Sequence, residues 1–284
     1  MSNSRFFTFI LFLLVVSCGQ TGSNAHTDAT KPHNLAVPKQ APWPLNIGQI
    51  PLPDGFRRVE KSAFGNYLST LPLQAEGSKV KLYNGEEKWN QRAHYAVINL
   101  PIGQRDLHQC ADAVMRVRAD FLRTEKRYDD LHFNFTNGFK CVYSKWMDGY
   151  RVKVSGNNVS WYATEYKGDT DANYWKYLEM VWSYAGTLSL ERELKTKDAK
   201  DIEPGDVWIK GGSPGHAVLV LDVAINNVGD KIFLLGQSYM PAQEMHVLKN
   251  PNDDNLSPWY KITEGDVVTP EWTFSQGQLR TWGD

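Results

Sequence analysis

The sequence predicts a mixed α+β fold, and three observations carry that prediction. One long amphipathic helix stands out, the strand-like runs cluster in sequence rather than alternating with helices, and 42% of the 284 residues are hydrophobic against 22% charged. That balance is enough to bury a sizeable core. The 31 Lys and Arg nearly cancel the 32 Asp and Glu, for a net charge of −1. No basic face for nucleic acid is therefore expected. Three cysteines exclude a disulfide-dense scaffold and a four-cysteine zinc site.

Residues 6–16 are mostly apolar and follow Arg5. The run is too short to span a bilayer, which takes ~20 residues, but it suits the apolar part of a secretory signal. It ends in Val15-Val16-Ser17-Cys18, which resembles a bacterial lipobox. The resemblance implies a signal peptide over 1–17, cleavage before Cys18 and lipidation of Cys18, which would tie the protein to a membrane through its acyl chains. Gly19-Gln20 places no acidic residue beside the anchor, which points to the periplasmic face of an outer membrane. Residues 18–44 read as anchor and flexible tether, stiffened by Pro32, Pro38, Pro42 and Pro44, and residues 45–284 as a single α+β domain.

Within that domain, Phe64, Tyr67, Leu68 and Leu71 predict a short helix over 63–71. Lys79–Tyr83 alternates and ends at Asn84-Gly85, so it reads as a strand; His94–Leu100 reads as another. Asp106 is the expected cap of the main helix, with Gln109 three residues on. Leu107, Cys110, Val114, Val117 and Phe121 then form one apolar stripe. Residues 133–165 are aromatic and β-branched and predict strands, and Asp171–Leu194 predicts a helix with Tyr174, Tyr177, Leu178, Val181, Trp182 and Ala185 on one side. Val207–Lys210, Ala217–Ala224 and Lys231–Gln237 complete the expected strands.

Cys110 lies in the first turn of the main helix, where unpaired N–H groups favour the thiolate. It also lies on the apolar stripe, so a small buried hydrophobe is the other reading. A base for the thiol is available at His216, which opens a strand after the loose Gly211–Gly215 loop. Glycines there would let a substrate backbone come close. If the hairpin after His216 turns near Asn227–Val228, paired positions sum to about 455 and Gln237 falls opposite Val218. Gln237 is then a diagonal neighbour of His216 and could orient its ring, a geometry that a one-residue slip would abolish.

A Cys at a helix start, Pro204-Gly205-Asp206 leading into a strand, and Gly215-His216 opening an aliphatic strand together resemble the NlpC/P60 and CHAP cysteine hydrolases. The resemblance implies a papain-like helix packed on an antiparallel sheet, with Cys110 as nucleophile, His216 as base and Gln237 as orienter, and no cofactor. Gln104 is similar to the oxyanion-supporting Gln of papain-like enzymes. The chain departs from the family's Asp-Cys-Ser-Gly, having Gln109-Cys110-Ala111-Asp112, and it needs a large aromatic-rich insertion between nucleophile and base. Phe135–Lys140, Tyr184–Leu190, Pro214–Val220, Gln237–Gln243 and Pro270–Phe274 resemble, over nearly the whole domain, an envelope protein family of Bacteroides relatives known only as a domain of unknown function.

The envelope address makes a peptidoglycan peptide or other envelope polymer the expected partner. Cys141 offers a rival: a Cys110–Cys141 disulfide would leave a non-catalytic glycan- or peptide-binding module, for which Trp161 and Tyr166 are candidate stacking surfaces. His94, His108 and His132 lack metal-ligand spacing, and no metal site is expected.

Overall fold

A computed structural model describes residues 42–283. The expected signal peptide, the expected lipidation site Cys18 and nearly all of the expected tether lie outside the described residues. The compact unit starts at Pro42.

In chain order the strands are β1 (Phe56–Arg58), β2 (His94–Val97), β3 (His132–Asn134), β4 (Lys140–Val142), β5 (Tyr150–Ser155), β6 (Asn158–Ala163) and β7 (Lys195–Thr196). They continue with β8 (Val207–Lys210), β9 (His216–Asn226), β10 (Lys231–Gln237), β11 (His246–Leu248), β12 (Tyr260–Lys261), β13 (Val267–Val268), β14 (Thr273–Phe274) and β15 (Leu279–Thr281). The helices are α1 (Ala63–Thr70), α2 (Cys110–Thr124), α3 (Tyr143–Met147), α4 (Asp171–Tyr184) and α5 (Thr187–Glu193).

The main sheet is antiparallel, in the order β2-β11-β10-β9-β8-β15-β7, with β1 added to β9 and β12 to β10. The fold is thus mixed α+β with a mainly antiparallel sheet. Both faces of β9 are buried, which is why it reads as an aliphatic run rather than an alternating one. Ala217, Leu219 and Leu221 join a core shared with Ala113, Val114 and Val117 of α2. Val218 and Val220 join Trp208, Phe233 and Phe274 on the other face.

Between α2 and β7 lies the aromatic-rich region: two hairpins, β3–β4 and β5–β6, with α3, α4 and α5. Tyr174, Tyr177, Leu178, Val181 and Trp182 are buried as their spacing predicts. The single expected helix over 171–194 is two, because the chain turns extended at Ala185 and Gly186 before α5 begins.

Two further expectations need correction. Lys79–Tyr83 forms only the single bridges Lys81–Glu87 and Leu82–Gln243. Side chains take over two of its backbone N–H groups: Val80 N–H donates to Gln91 Oε1 (3.0 Å) and Lys81 N–H to Glu244 Oε2 (2.8 Å). Helix α2 starts at Cys110, with Gln109 and not Asp106 at its cap. The Asp106 carboxylate instead accepts the Ala242 N–H at 2.7 Å, drawn off by a loop far away in sequence. Asp112 takes over the capping by accepting the Gln109 N–H at 3.0 Å. By contrast α1 is capped as a helix of its sequence should be, with Ser62 Oγ accepting the Gly65 N–H at 3.1 Å.

Candidate active site

Cys110 is the first residue of α2, and His216 is the first residue of β9. The two arrive from different directions. Alternation along β9 turns the imidazole to the face of Val218 and Val220, whereas α2 packs on the face of Ala217 and Leu219. They come to one cavity of about 560 Å³ beside the ends of β9 and β10. Cys110, His216, Trp182, Thr187, Tyr239 and Trp272 are among its walls.

The β9–β10 register decides the third group. Lys231–Leu234 pair with Ile225–Asp222, a bulge intervenes, and Leu235 and Gly236 then pair with Val220 and Leu219. After the bulge the sum of paired positions is 455, so Gln237 falls at the level of Val218 and diagonally to His216. Its Oε1 lies 2.9 Å from His216 Nε2. This leaves Nδ1 as the ring nitrogen without that partner. The ring is further fixed by Tyr239 (centroids 4.8 Å), Trp272 (5.4 Å) and Phe274 (5.9 Å).

Behind Gln237 lies a buried polar cluster. Gln237 Nε2 donates to Glu271 Oε2 at 2.6 Å, and the same oxygen accepts from Lys88 Nζ at 2.5 Å. His246 Nε2 lies 3.4 Å from both Lys88 Nζ and Gln237 Nε2, while its Nδ1 lies 2.9 Å from Glu244 O. Lys88 and Gln237 are buried, and the Glu271 side chain is 8% exposed. Sequence reasoning missed Lys88, Glu271, His246, Tyr239 and Trp272, which come from loops and a short strand with no chemical motif. The nearest signal was Pro270-Glu-Trp-Thr-Phe, noticed only as part of a resemblance.

The electrostatics differ from the expectation for a helix-start thiol. Burial pushes the Cys110 thiol up to about 11, helped by the nearby Asp112 carboxylate. The backbone N–H groups of Ala217, Ala111 and Cys110 pull the other way and are outweighed. The Ala217 N–H at the sulfur also places the thiol beside the residue that follows His216. Burial lowers His216 to about 4, Gln237 opposes this, and the positive Lys88 adds to it. The resting pair at neutral pH is neutral thiol and neutral imidazole.

Other expected residues fall as follows. Gln104 is exposed and does not line the cavity; Gln109, the cap residue, does. The glycine loop before His216 is not open space for a substrate at Gly215. A Cβ there would meet Gly212 O and Thr187 Oγ1 at 2.5 Å each, so glycine is required by the chain's own packing. Cys110 and Cys141 are both free, and the disulfide considered between them does not form. Cys141 belongs to the β3–β4 hairpin, packed in the core opposite Phe133, whereas Cys110 is on a cavity wall. Trp161 packs against Phe139, with centroids 5.5 Å apart. Tyr162 and Tyr166 are exposed and flank a separate cavity of about 360 Å³ with Arg151 and Lys176. Among the described residues no three His, Cys, Asp or Glu gather as metal ligands, and no helix is long and apolar enough to cross a membrane.

No curated protein and no solved structure matches the chain. Residues 48–281 match the family DUF4846, described as a domain of unknown function, and the chain belongs to that family.

Proposed function

We propose that this protein is a cysteine hydrolase of papain-like type that cleaves an amide bond. One observation carries the reading: a helix-start cysteine and a histidine held by a glutamine line the same cavity. His216 takes the Cys110 proton as the sulfur attacks the amide carbon, so a preformed thiolate is not needed. The proton then goes to the departing amine as the C–N bond breaks. Water adds to the thioester, gives a carboxylic acid and returns the proton to sulfur. Backbone N–H groups at the start of α2 are the donors nearest the developing oxyanion.

The lipobox-like Val15–Cys18 supports a lipid-anchored protein on the periplasmic face of an outer membrane. At that address a peptide amide of peptidoglycan is the substrate this reading favours. The test is muropeptide release by the full chain and by Cys110→Ala. Release by the parent, and a drop of at least about a hundredfold in the variant with an unchanged fold, is the expected outcome. Equal release by both proteins overturns the assignment. Glycan binding is the second reading, supported by Tyr162 and Tyr166, which are 49% and 69% exposed. Affinity for glycan strands without turnover would favour it.

A further inference from the structure

We propose that Glu271, held in place by Lys88, sets the amide orientation of Gln237 and thereby the tautomer of His216, leaving Nδ1 as the ring nitrogen free to accept a proton. The proposal rests on the hydrolase reading for its purpose, but not for its geometry.

The argument is one of matching donors to acceptors. An ionised carboxylate only accepts. Glu271 Oε2 sits 2.6 Å from one end of the Gln237 amide, so that end must be the NH₂ group. A flipped amide would set its oxygen against the carboxylate, an unpaired repulsive contact in a buried place. The other end is then Oε1, which can only accept from His216 Nε2 at 2.9 Å. The ring proton therefore resides on Nε2, and Nδ1 keeps its lone pair.

Every neighbour agrees with this assignment. Lys88 Nζ has only protons to give, and it gives them to Glu271 Oε2 (2.5 Å) and toward His246 Nε2 (3.4 Å). His246 carries its own proton on Nδ1, which donates to Glu244 O at 2.9 Å, so its Nε2 accepts from both Lys88 and Gln237. Asn90 Nδ2 donates to the remaining Glu271 oxygen at 3.3 Å. Lys88 and His246 are both buried, away from bulk solvent. Lys88 Nζ donates to the same Glu271 oxygen that faces the Gln237 amide, so that oxygen is an acceptor toward both neighbours. Glu271 and Lys88 are positioning residues here: they act through Gln237 and not on the substrate.

The experiment is a long-range ¹⁵N–¹H correlation spectrum of the full chain labelled at histidine, alone and as Glu271→Gln. The parent should show His216 as a single tautomer protonated at Nε2. In Glu271→Gln the new amide can pair with Gln237 in either orientation, so His216 should become a mixture of tautomers. If hydrolysis is found, kcat should fall roughly tenfold or more with KM unchanged. Should Glu271→Gln fail to fold, the neutral pair Lys88→Met/Glu271→Gln keeps the buried charge balanced and is read the same way. A parent His216 protonated at Nδ1, or a variant whose tautomer is unchanged, overturns the proposal. The spectrum needs no substrate, so a parent that shows the Nε2–H tautomer yet cleaves no amide refutes the hydrolase reading alone.

Discussion

A thiol at the first position of a helix gains from the unpaired N–H groups around it, and by itself that predicts a reactive cysteine. At Cys110 burial reverses the sign, because a charged sulfur in a buried position loses more hydration than three N–H groups restore. With the thiol at about 11, the thiolate fraction at pH 7 is about one in ten thousand. Alkylation of Cys110 by iodoacetamide, followed by mass spectrometry, should therefore be slow at pH 7 and rise about tenfold per pH unit toward 11. A rate already level between pH 6 and 8 would contradict the buried, uncharged thiol. Cys141, enclosed in the core, should react only on unfolding. The same contrast holds at His216, where burial and the Lys88 charge keep the ring neutral.

The hairpin from β8 to β10 is the element that builds the site. Its entry turn, Pro204-Gly205-Asp206, needs glycine for two separate reasons. Gly205 has φ +101°, and a Cβ on it would meet the Phe64 ring at 2.6 Å. Gly205→Ala should therefore cost about 2–4 kcal/mol in a urea-unfolding experiment, from backbone strain together with overpacking. A cost below about 0.5 kcal/mol would mean that α1 yields freely at this point. The β9–β10 bulge matters as much. The pairing sum changes from 456 to 455 between Leu234 and Leu235, which brings Gln237 to His216 rather than past it.

Across the whole molecule, the segment before α1 is strapped to the sheet by a buried charge. Asp222 of β9 is fully buried and takes Arg58 Nε at 2.6 Å and Lys61 Nζ at 2.9 Å. Removing its charge would leave two cations without their carboxylate, so Asp222→Asn should lower stability by about 3 kcal/mol. The midpoint of urea unfolding measures this, and the loss should shrink in Arg58→Met/Asp222→Asn, which discards one of the stranded cations. An unchanged midpoint in Asp222→Asn would show that the strap carries no stability.

What the sequence determined by itself is whatever is written in local period and turn chemistry. The stripe of α2, the strands β8 to β10 and the turn at Gly205 are legible, because each is set by residues a few positions apart, whereas the sum of 455 at Gln237 depends on a bulge that the turn does not encode. Cys110 and His216 are candidates on local position alone. The tertiary structure alone decided where α2 begins, since a loop amide at Ala242 claims Asp106. It alone decided that Cys110 stays protonated and that Cys141 stays apart from it. And it alone gathered Lys88, His246 and Glu271, which are separated by as many as 183 residues and carry no pattern along the chain. Burial and long-range hydrogen bonding belong to the packed molecule, so no reading of neighbouring residues could supply them.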